Sequence, residues 1–130
     1  TTLLPWRSAL DNLLLPNAGL DRDRALAALE RIGLSGKQDV FPGQLSLGQQ
    51  RRLALARAFV GRPQLLLMDE PFVSLDPELA ARMMTLTEEL IAETGPATLF
   101  VTHAREEAER LADRILTLSG TPACFVGANA

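Results

Sequence analysis

The sequence predicts an α/β fold in which a helical stretch precedes a mainly parallel βαβ sheet portion. Three observations predict it. Apolar residues recur at helical spacing between good capping residues over residues 8–60. Two short runs, 64–68 and 97–102, lie between turn signals and read as strands buried on both faces. Between those runs, Asp76 and Pro77 open a long amphipathic stretch that Gly95 and Pro96 close, so strand, helix and strand follow in order.

Each element has a local cause. Residues 1–7 read as a loop around Pro5 and Trp6. Ser8 caps a short helix, with Asp11 at the third position after it, and Pro16 ends it. Asn17-Ala18-Gly19 is a turn. Asp21 caps a second helix whose Ala25, Leu29 and Ile32 share one face, and Gly33 stops it. Residues 34–44 are loop-like. A third helix starts at Ser46 and runs to about Val60, ahead of Gly61 and Pro63. Its start has the S-x-x-Q form, Ser46 to Gln49, in which each side chain can bond the other residue's backbone N–H. In the fourth helix Pro77 takes the first position, and Leu79, Met83, Leu86 and Leu90 line one face. Ala104, Ala108, Leu111 and Ala112 mark a fifth helix. Residues 114–118 and 123–126 are two closing strands around Ser119-Gly120-Thr121-Pro122.

Composition narrows the function. The chain has 130 residues, 47% of them apolar, which is one domain at most and enough to build a core. A net charge of −3 argues against a nucleic-acid binder, whose footprint is basic. The one cysteine, Cys124, excludes an internal disulfide and fits a reducing compartment. No apolar run reaches the roughly 18 residues of a membrane span, and the N-terminus lacks a signal-peptide pattern. A soluble, cytoplasmic chain that meets a membrane only through a partner is expected.

The chemistry concentrates in four places. Asp69 and Glu70 follow a strand, and ligands of open α/β sheets bind beyond the carboxyl ends of strands. Adjacent side chains diverge, so one carboxylate can hold Mg²⁺, usually through water, while the other orients and deprotonates a water attacking a phosphoryl group. In isolation the same pair reads as a solvated turn. Ser46, Gly48 and Gln49 sit at a helix N-terminus, where free N–H groups and the helix dipole favour an anion, although an ordinary cap has the same residues. Asp76 caps the fourth helix. His103 is the single histidine, and a lone histidine is more often structural.

Taken together these segments resemble a known family. Leu45-Ser46-Leu47-Gly48-Gln49 and the helix after it resemble the signature motif of ATP-binding cassette (ABC) ATPases. Leu65-Leu66-Leu67-Met68-Asp69-Glu70 resembles their Walker B strand, Ser74-Leu75-Asp76 their D-loop, and Val101-Thr102-His103 their switch-histidine loop. Order and spacing agree over nearly the whole chain. Residues 3–13 and 70–76 are similar to importer ATPases, above all those energising uptake of nitrate, sulfonates, taurine or thiamine-type solutes.

The resemblance implies the C-terminal part of a P-loop NTPase domain: a helical subdomain over 1–60 with the signature helix, then a partial RecA-like core over 61–130. It implies that Asp69 helps hold Mg²⁺, that Glu70 is the catalytic base for water, and that His103 contacts the γ-phosphate of ATP. It puts Asp76 at a dimer seam and has Ser46, Gly48 and Gln49 reach ATP on a second copy of the subunit, the two closing head to tail. Residues 1–44 would face integral membrane permease subunits, with Trp6 either contacting their coupling helix or anchoring its own loop. A periplasmic solute-binding protein would take part indirectly, and the subunit would sit on the inner face of the cell membrane. The solute is chosen by the other subunits.

The sequence departs from the family pattern in places. Leu47 stands where the family usually has glycine, adding a side chain near the phosphate. No G-x-x-x-x-G-K-[ST] phosphate loop occurs in the 130 residues. Gly33-Leu34-Ser35-Gly36-Lys37-Gln38 imitates one, but Arg31 occupies the place of its first glycine and Gln38 that of the Ser/Thr hydroxyl. These 130 residues are therefore expected not to bind ATP tightly or hydrolyse it alone, and exposed sheet is expected to drive self-association. Two other readings compete. A DNA-repair or chromosome-maintenance ATPase half would show coiled-coil insertions and a basic face. A non-catalytic adaptor or regulatory remnant would not need Asp69, Glu70 and His103.

Overall fold

The computed structural model describes residues 3–129. The chain forms α1 (Ala9–Leu14), α2 (Arg22–Arg31), a 3₁₀ turn (Pro42–Gln44), α3 (Leu47–Val60), β1 (Leu65–Asp69), α4 (Pro77–Thr94), β2 (Ala97–Val101), α5 (Arg105–Leu111), β3 (Ile115–Ser119) and β4 (Cys124–Asn129). Every helix and strand expected from the sequence is present, and the 3₁₀ turn is the one addition, inside the expected 34–44 loop. The loop expected over 1–7 falls partly on Thr1 and Thr2, which lie outside the described residues.

The caps work as their chemistry requires. The Ser8 hydroxyl accepts from Asp11 N at 3.1 Å, and an Asp21 carboxylate oxygen from Arg24 N at 2.8 Å. Asp76 Oδ1 accepts from Leu79 N at 3.0 Å, opening α4. Each satisfies an N–H that the helix itself leaves unpaired. Just past the end of helix α2 lies Gly33, whose left-handed φ of +70° glycine adopts without strain. There Arg52 Nη1 donates to Ile32 O at 2.5 Å, and a Cβ on Gly33 would lie 2.8 Å from that nitrogen.

Two compact units make up the chain: Thr1–Leu66 with Glu89–Ala97, and Leu67–Glu88 with Thr98–Ala130. In the first, α1, α2 and α3 each pack against the other two. Leu13, Leu29, Leu34 and Leu53 are fully buried there. Asn17 Nδ2 donates to Leu13 O at 2.7 Å and to Arg57 O at 3.3 Å, tying the ends of α1 and α3 together. Arg31 and Glu93 join α2 to the end of α4 in a bidentate pair, one bond being Nη2 to Oε1 at 2.6 Å. In the second unit, Phe72 is buried and meets Phe100 with ring centroids 6.0 Å apart. Thr87 is fully buried and donates to Met83 O at 2.8 Å, which satisfies its hydroxyl inside the helix. Strands β3 and β4 form an antiparallel ribbon with a bulge between Thr117 and Leu118.

Strands β1 and β2 pair in parallel, as the βαβ order requires. Their burial corrects one expectation. The runs at 64–68 and 97–102 read as buried on both faces, but β1 alternates: Leu66 and Met68 are buried while Leu65 and Leu67 are 59% and 67% exposed. Leu99 and Val101 of β2 are exposed as well. Side chains on a strand alternate between faces, so covering one face buries only every second residue. A continuous apolar run reports what a strand can bury, and here one of its faces is bare.

Candidate active site

Parallel pairing fixes the centre of the site. Two parallel strands end on the same side, so the residue after β1 and those after β2 meet although 33 positions separate Glu70 from His103. Glu70 N donates to Val101 O at 2.9 Å, the last rung of the ladder. Glu70 itself has φ 47°, a left-handed conformation that costs a non-glycine residue about 1–2 kcal/mol. Extended backbone stops there. The turn that follows is held by Val73 N to Glu70 O and Leu75 N to Phe72 O, both at 3.3 Å, with buried Phe72 as its anchor. It passes Ser74, also left-handed at φ 62°, and delivers Asp76 to the start of α4.

Across this end of the sheet the His103 imidazole faces the Glu70 carboxylate. Its Nδ1 lies 2.8 Å from Oε1 and 2.7 Å from Oε2. A carboxylate only accepts, so Nδ1 carries the proton and Nε2 is left for another partner. The His103 side chain is 74% exposed and Glu70 34%. The hydrogen bond to Glu70, and then its negative charge, raise the pKa of His103 above its ordinary value, with a smaller contribution from Glu107. The ring is therefore cationic over a wider pH range and presents a second N–H donor outward. Thr102 fixes the loop: its hydroxyl accepts from Ala104 N at 3.0 Å and donates to Glu107 Oε2 at 2.6 Å.

Linkage gives this pair a pH signature. A histidine whose pKa is raised by folding adds stability that is complete below its unfolded pKa of about 6.5 and is lost as pH rises through the folded value. His103 is the only histidine in the 130 residues, so its ring resonances need no assignment. Proton NMR should show it titrating above the ordinary value, and Glu70→Gln should bring the midpoint down. A midpoint that ignores Glu70→Gln would mean the pair does not form in solution.

Asp69 is the last residue of β1, next to Glu70 in sequence and exposed; among the described residues no ion pair or side-chain hydrogen bond occupies its carboxylate. Asp76 is exposed in the same unit and spends Oδ1 on the α4 cap. Ser46, Gly48 and Gln49 belong to the other unit. There Ser46 Oγ accepts from Gln49 N at 3.3 Å, and Gln49 Oε1 accepts from Ser46 N at 3.0 Å, which completes the expected capping box. The reciprocal cap uses acceptors only. The Ser46 O–H and the Gln49 amide N–H₂ remain donors at an exposed helix N-terminus, where an anion is favoured. Leu47 takes the first helical position with its side chain 52% exposed, so it adds apolar surface beside that N-terminus without disturbing the helix.

The direct Glu70–His103 contact and the Thr102–Glu107 brace escape the sequence. The βαβ order was the available signal for the first, because it brings the ends of two parallel strands together. Arg110 is another such residue: Nε donates to Glu88 Oε1 at 2.7 Å, and Nη2 donates to Glu88 Oε2 and Thr85 Oγ1, both at 2.8 Å. It clasps α5, which has no buried residue of its own, to α4.

The family model described as ABC transporter matches residues 1–73, more than half of the chain. The chain belongs to the ABC transporter family. Among relatives of this ABC transporter chain, the "Aliphatic sulfonates import ATP-binding protein SsuB 2" of Streptomyces avermitilis is 50% identical over 117 residues, covering 89% of this chain and 47% of the relative. The protein of the same name from Nocardia farcinica is 49% identical over 117 residues, covering 89% and 49%. The chain thus spans about half the length of these relatives. A solved structure, the dimeric post-hydrolysis state of the ATP-binding cassette MJ0796 bound to ADP and Pi, is similar with a TM-score of 0.72 at 34% identity, covering 88% of this chain and 53% of that one. Among the described residues no helix is long and apolar enough to cross a membrane.

Proposed function

We propose that this chain carries the water-activating and cross-subunit elements of an ATP-hydrolysing subunit that powers an ABC importer, with aliphatic sulfonates as the solute class. The observation that carries the reading is the Glu70–His103 pair at the shared end of two parallel strands, with the free Asp69 carboxylate next in sequence to Glu70. Family membership and the names of the sulfonate-importer relatives support the subclass. The organisation read with it is a helical subdomain over 1–60 and part of a RecA-like core over 61–130; the compact units divide the chain differently, at Leu66 and with Glu89–Ala97 in the first.

In this mechanism Glu70 accepts a proton from the water that attacks the γ-phosphorus of ATP. While Nδ1 of His103 holds the Glu70 carboxylate, the base is partly neutralised. The exposed Nε2–H of the cationic ring donates to the γ-phosphate, and as negative charge builds on the phosphoryl oxygens the ring stabilises it. Asp69 fits a magnesium ion. Mg²⁺ keeps most of its waters and takes one or two carboxylates beside the phosphates, so an unoccupied, exposed carboxylate suffices, and among the described residues no larger cluster of ligating side chains competes. When bound, the ion neutralises phosphate charge.

The remaining donors act across a dimer. Ser46 O–H, the N–H groups around Gly48 and the Gln49 amide bind the γ-phosphate held by the second copy, and Asp76 lies at the seam. Permease subunits dock on 1–44 through Trp6 and its neighbours, a solute-binding protein delivers the solute outside, and the subunit works at the cytoplasmic face of the membrane. The dimeric state of the MJ0796 neighbour supports the two-copy arrangement.

Complementation between copies tests the reading. In the full-length protein, Ser46→Arg and Glu70→Gln should each lower ATP turnover by orders of magnitude, and a mixture of the two should recover part of it. Each mixed dimer has one site with both lesions and one with neither. A mixture as inactive as its components would overturn the cross-subunit role of Ser46.

A further inference from the structure

We propose that Asn12 is a positioning residue that locks residues 3–8 into one shape and so presents Trp6 and Arg7, preformed, to the membrane partner. The partner is the one read under Proposed function, and the inference rests on that reading only for the identity of what docks.

Asn12 lies in the middle of α1 with no exposed surface. A buried side-chain amide is costly unless its one acceptor and two donors are engaged. Here all are engaged, and all with the backbone just upstream. Oδ1 accepts from Leu4 N at 2.8 Å. Nδ2 donates to Leu4 O and Arg7 O at 3.1 Å, and to Ser8 O at 2.9 Å. The orientation is dictated by chemistry: turned over, the amide would set its oxygen against three carbonyls and its N–H₂ against an N–H. Aspartate could not replace it, since a carboxylate has no donor.

The rest of the segment agrees with a fixed platform. Arg7 N donates to Leu4 O at 3.2 Å, closing a turn over Leu4–Arg7, and Leu3 is buried as its upstream anchor. Downstream, Ala9 N donates to Val40 O at 2.8 Å and Leu10 N to Gln38 O at 3.0 Å. Between these ties Pro5, Trp6 and Arg7 are exposed, Trp6 by 69%. An exposed indole alone needs no explanation. An indole at the crest of a turn whose carbonyls converge on one buried amide is different, because Leu10 and Leu13 already supply the apolar packing of α1 and the amide adds only the shape of the loop. A loop fixed beforehand loses little entropy on docking, and an aromatic beside an arginine is the pairing that anchors interfaces.

Trp6 is the only tryptophan in the 130 residues and reports on its own loop. In this chain, Asn12→Leu keeps the volume and removes the bonds. It should lower the fluorescence anisotropy of Trp6 and raise its quenching by acrylamide while helical circular dichroism is retained. Unchanged anisotropy and quenching in the folded variant would overturn the proposal. Should the variant not fold, hydrogen exchange in the unmutated chain decides: the Leu4 amide should be protected although it lies in a loop, and free exchange there would overturn the proposal equally. In the full-length protein, Asn12→Leu should weaken association with the permease subunits about tenfold or more, as should Trp6→Ala. A loosened loop with undiminished permease association would confirm the role of Asn12 and sink the docking assignment instead.

Discussion

Glu70→Gln in the full-length protein should lower ATP turnover by about 10²–10⁴-fold, the span a positioned general base contributes. The substitution is nearly isosteric, so the turn from Glu70 to Asp76 and the ladder bond to Val101 should survive. What is lost is a group that can take the proton from water. A neutral amide also removes the charge that raises the His103 pKa. Two readings should therefore move together: steady-state phosphate release falls, and the His103 titration shifts down. Nucleotide binding should remain, because Glu70 contributes no donor to the phosphates, and ATP should accumulate on the protein instead of ADP. Turnover in the variant equal to that of the parent would remove Glu70 from the chemistry and leave its contact with His103 as a structural ion pair.

Leu53→Ala should be among the most damaging single changes to the helical unit. Leu53 lies mid-way along α3, fully buried, in the helix that packs against both α1 and α2. Truncating a buried leucine to alanine removes transfer free energy and leaves a cavity that close-packed neighbours fill only partly, a loss of about 2–5 kcal/mol. Set against a total stability of about 5–15 kcal/mol for an ordinary domain, that is a large share. Urea unfolding followed by circular dichroism should show a lower midpoint with little change in slope. A loss under about 1 kcal/mol would mean that α3 is not the keystone of the unit.

The legible parts of this protein share one property: their cause lies within a few residues. Ser8, Asp21, Ser46 and Asp76 were readable as caps because a cap is a bond between positions three apart, and each is made. Gly33 was readable as a helix stop because only glycine takes its backbone angle without strain. The motifs containing Asp69, Glu70, Asp76 and His103 were readable for the same reason, as short strings at fixed spacing. Asn12 was not. In the sequence it is the second of two adjacent polar residues, Asp11 and Asn12, in a short leucine-rich helix, and nothing local distinguishes a solvated amide from one that gathers three carbonyls and an N–H. The burial of β1 is hidden from the sequence for a related reason: Leu65 to Met68 is uniformly apolar, and how many faces are covered depends on neighbours that the run does not name.

From its order of residues alone, this chain fixed its helices and strands, its family and the identity of its chemical groups, since each follows from propensity, capping or spacing along the backbone. Folding in three dimensions decided which groups touch. It set His103 on Glu70 and turned Asn12 toward the Trp6 loop, because such contacts depend on the parallel alignment of distant strands and on which side chains lose their water.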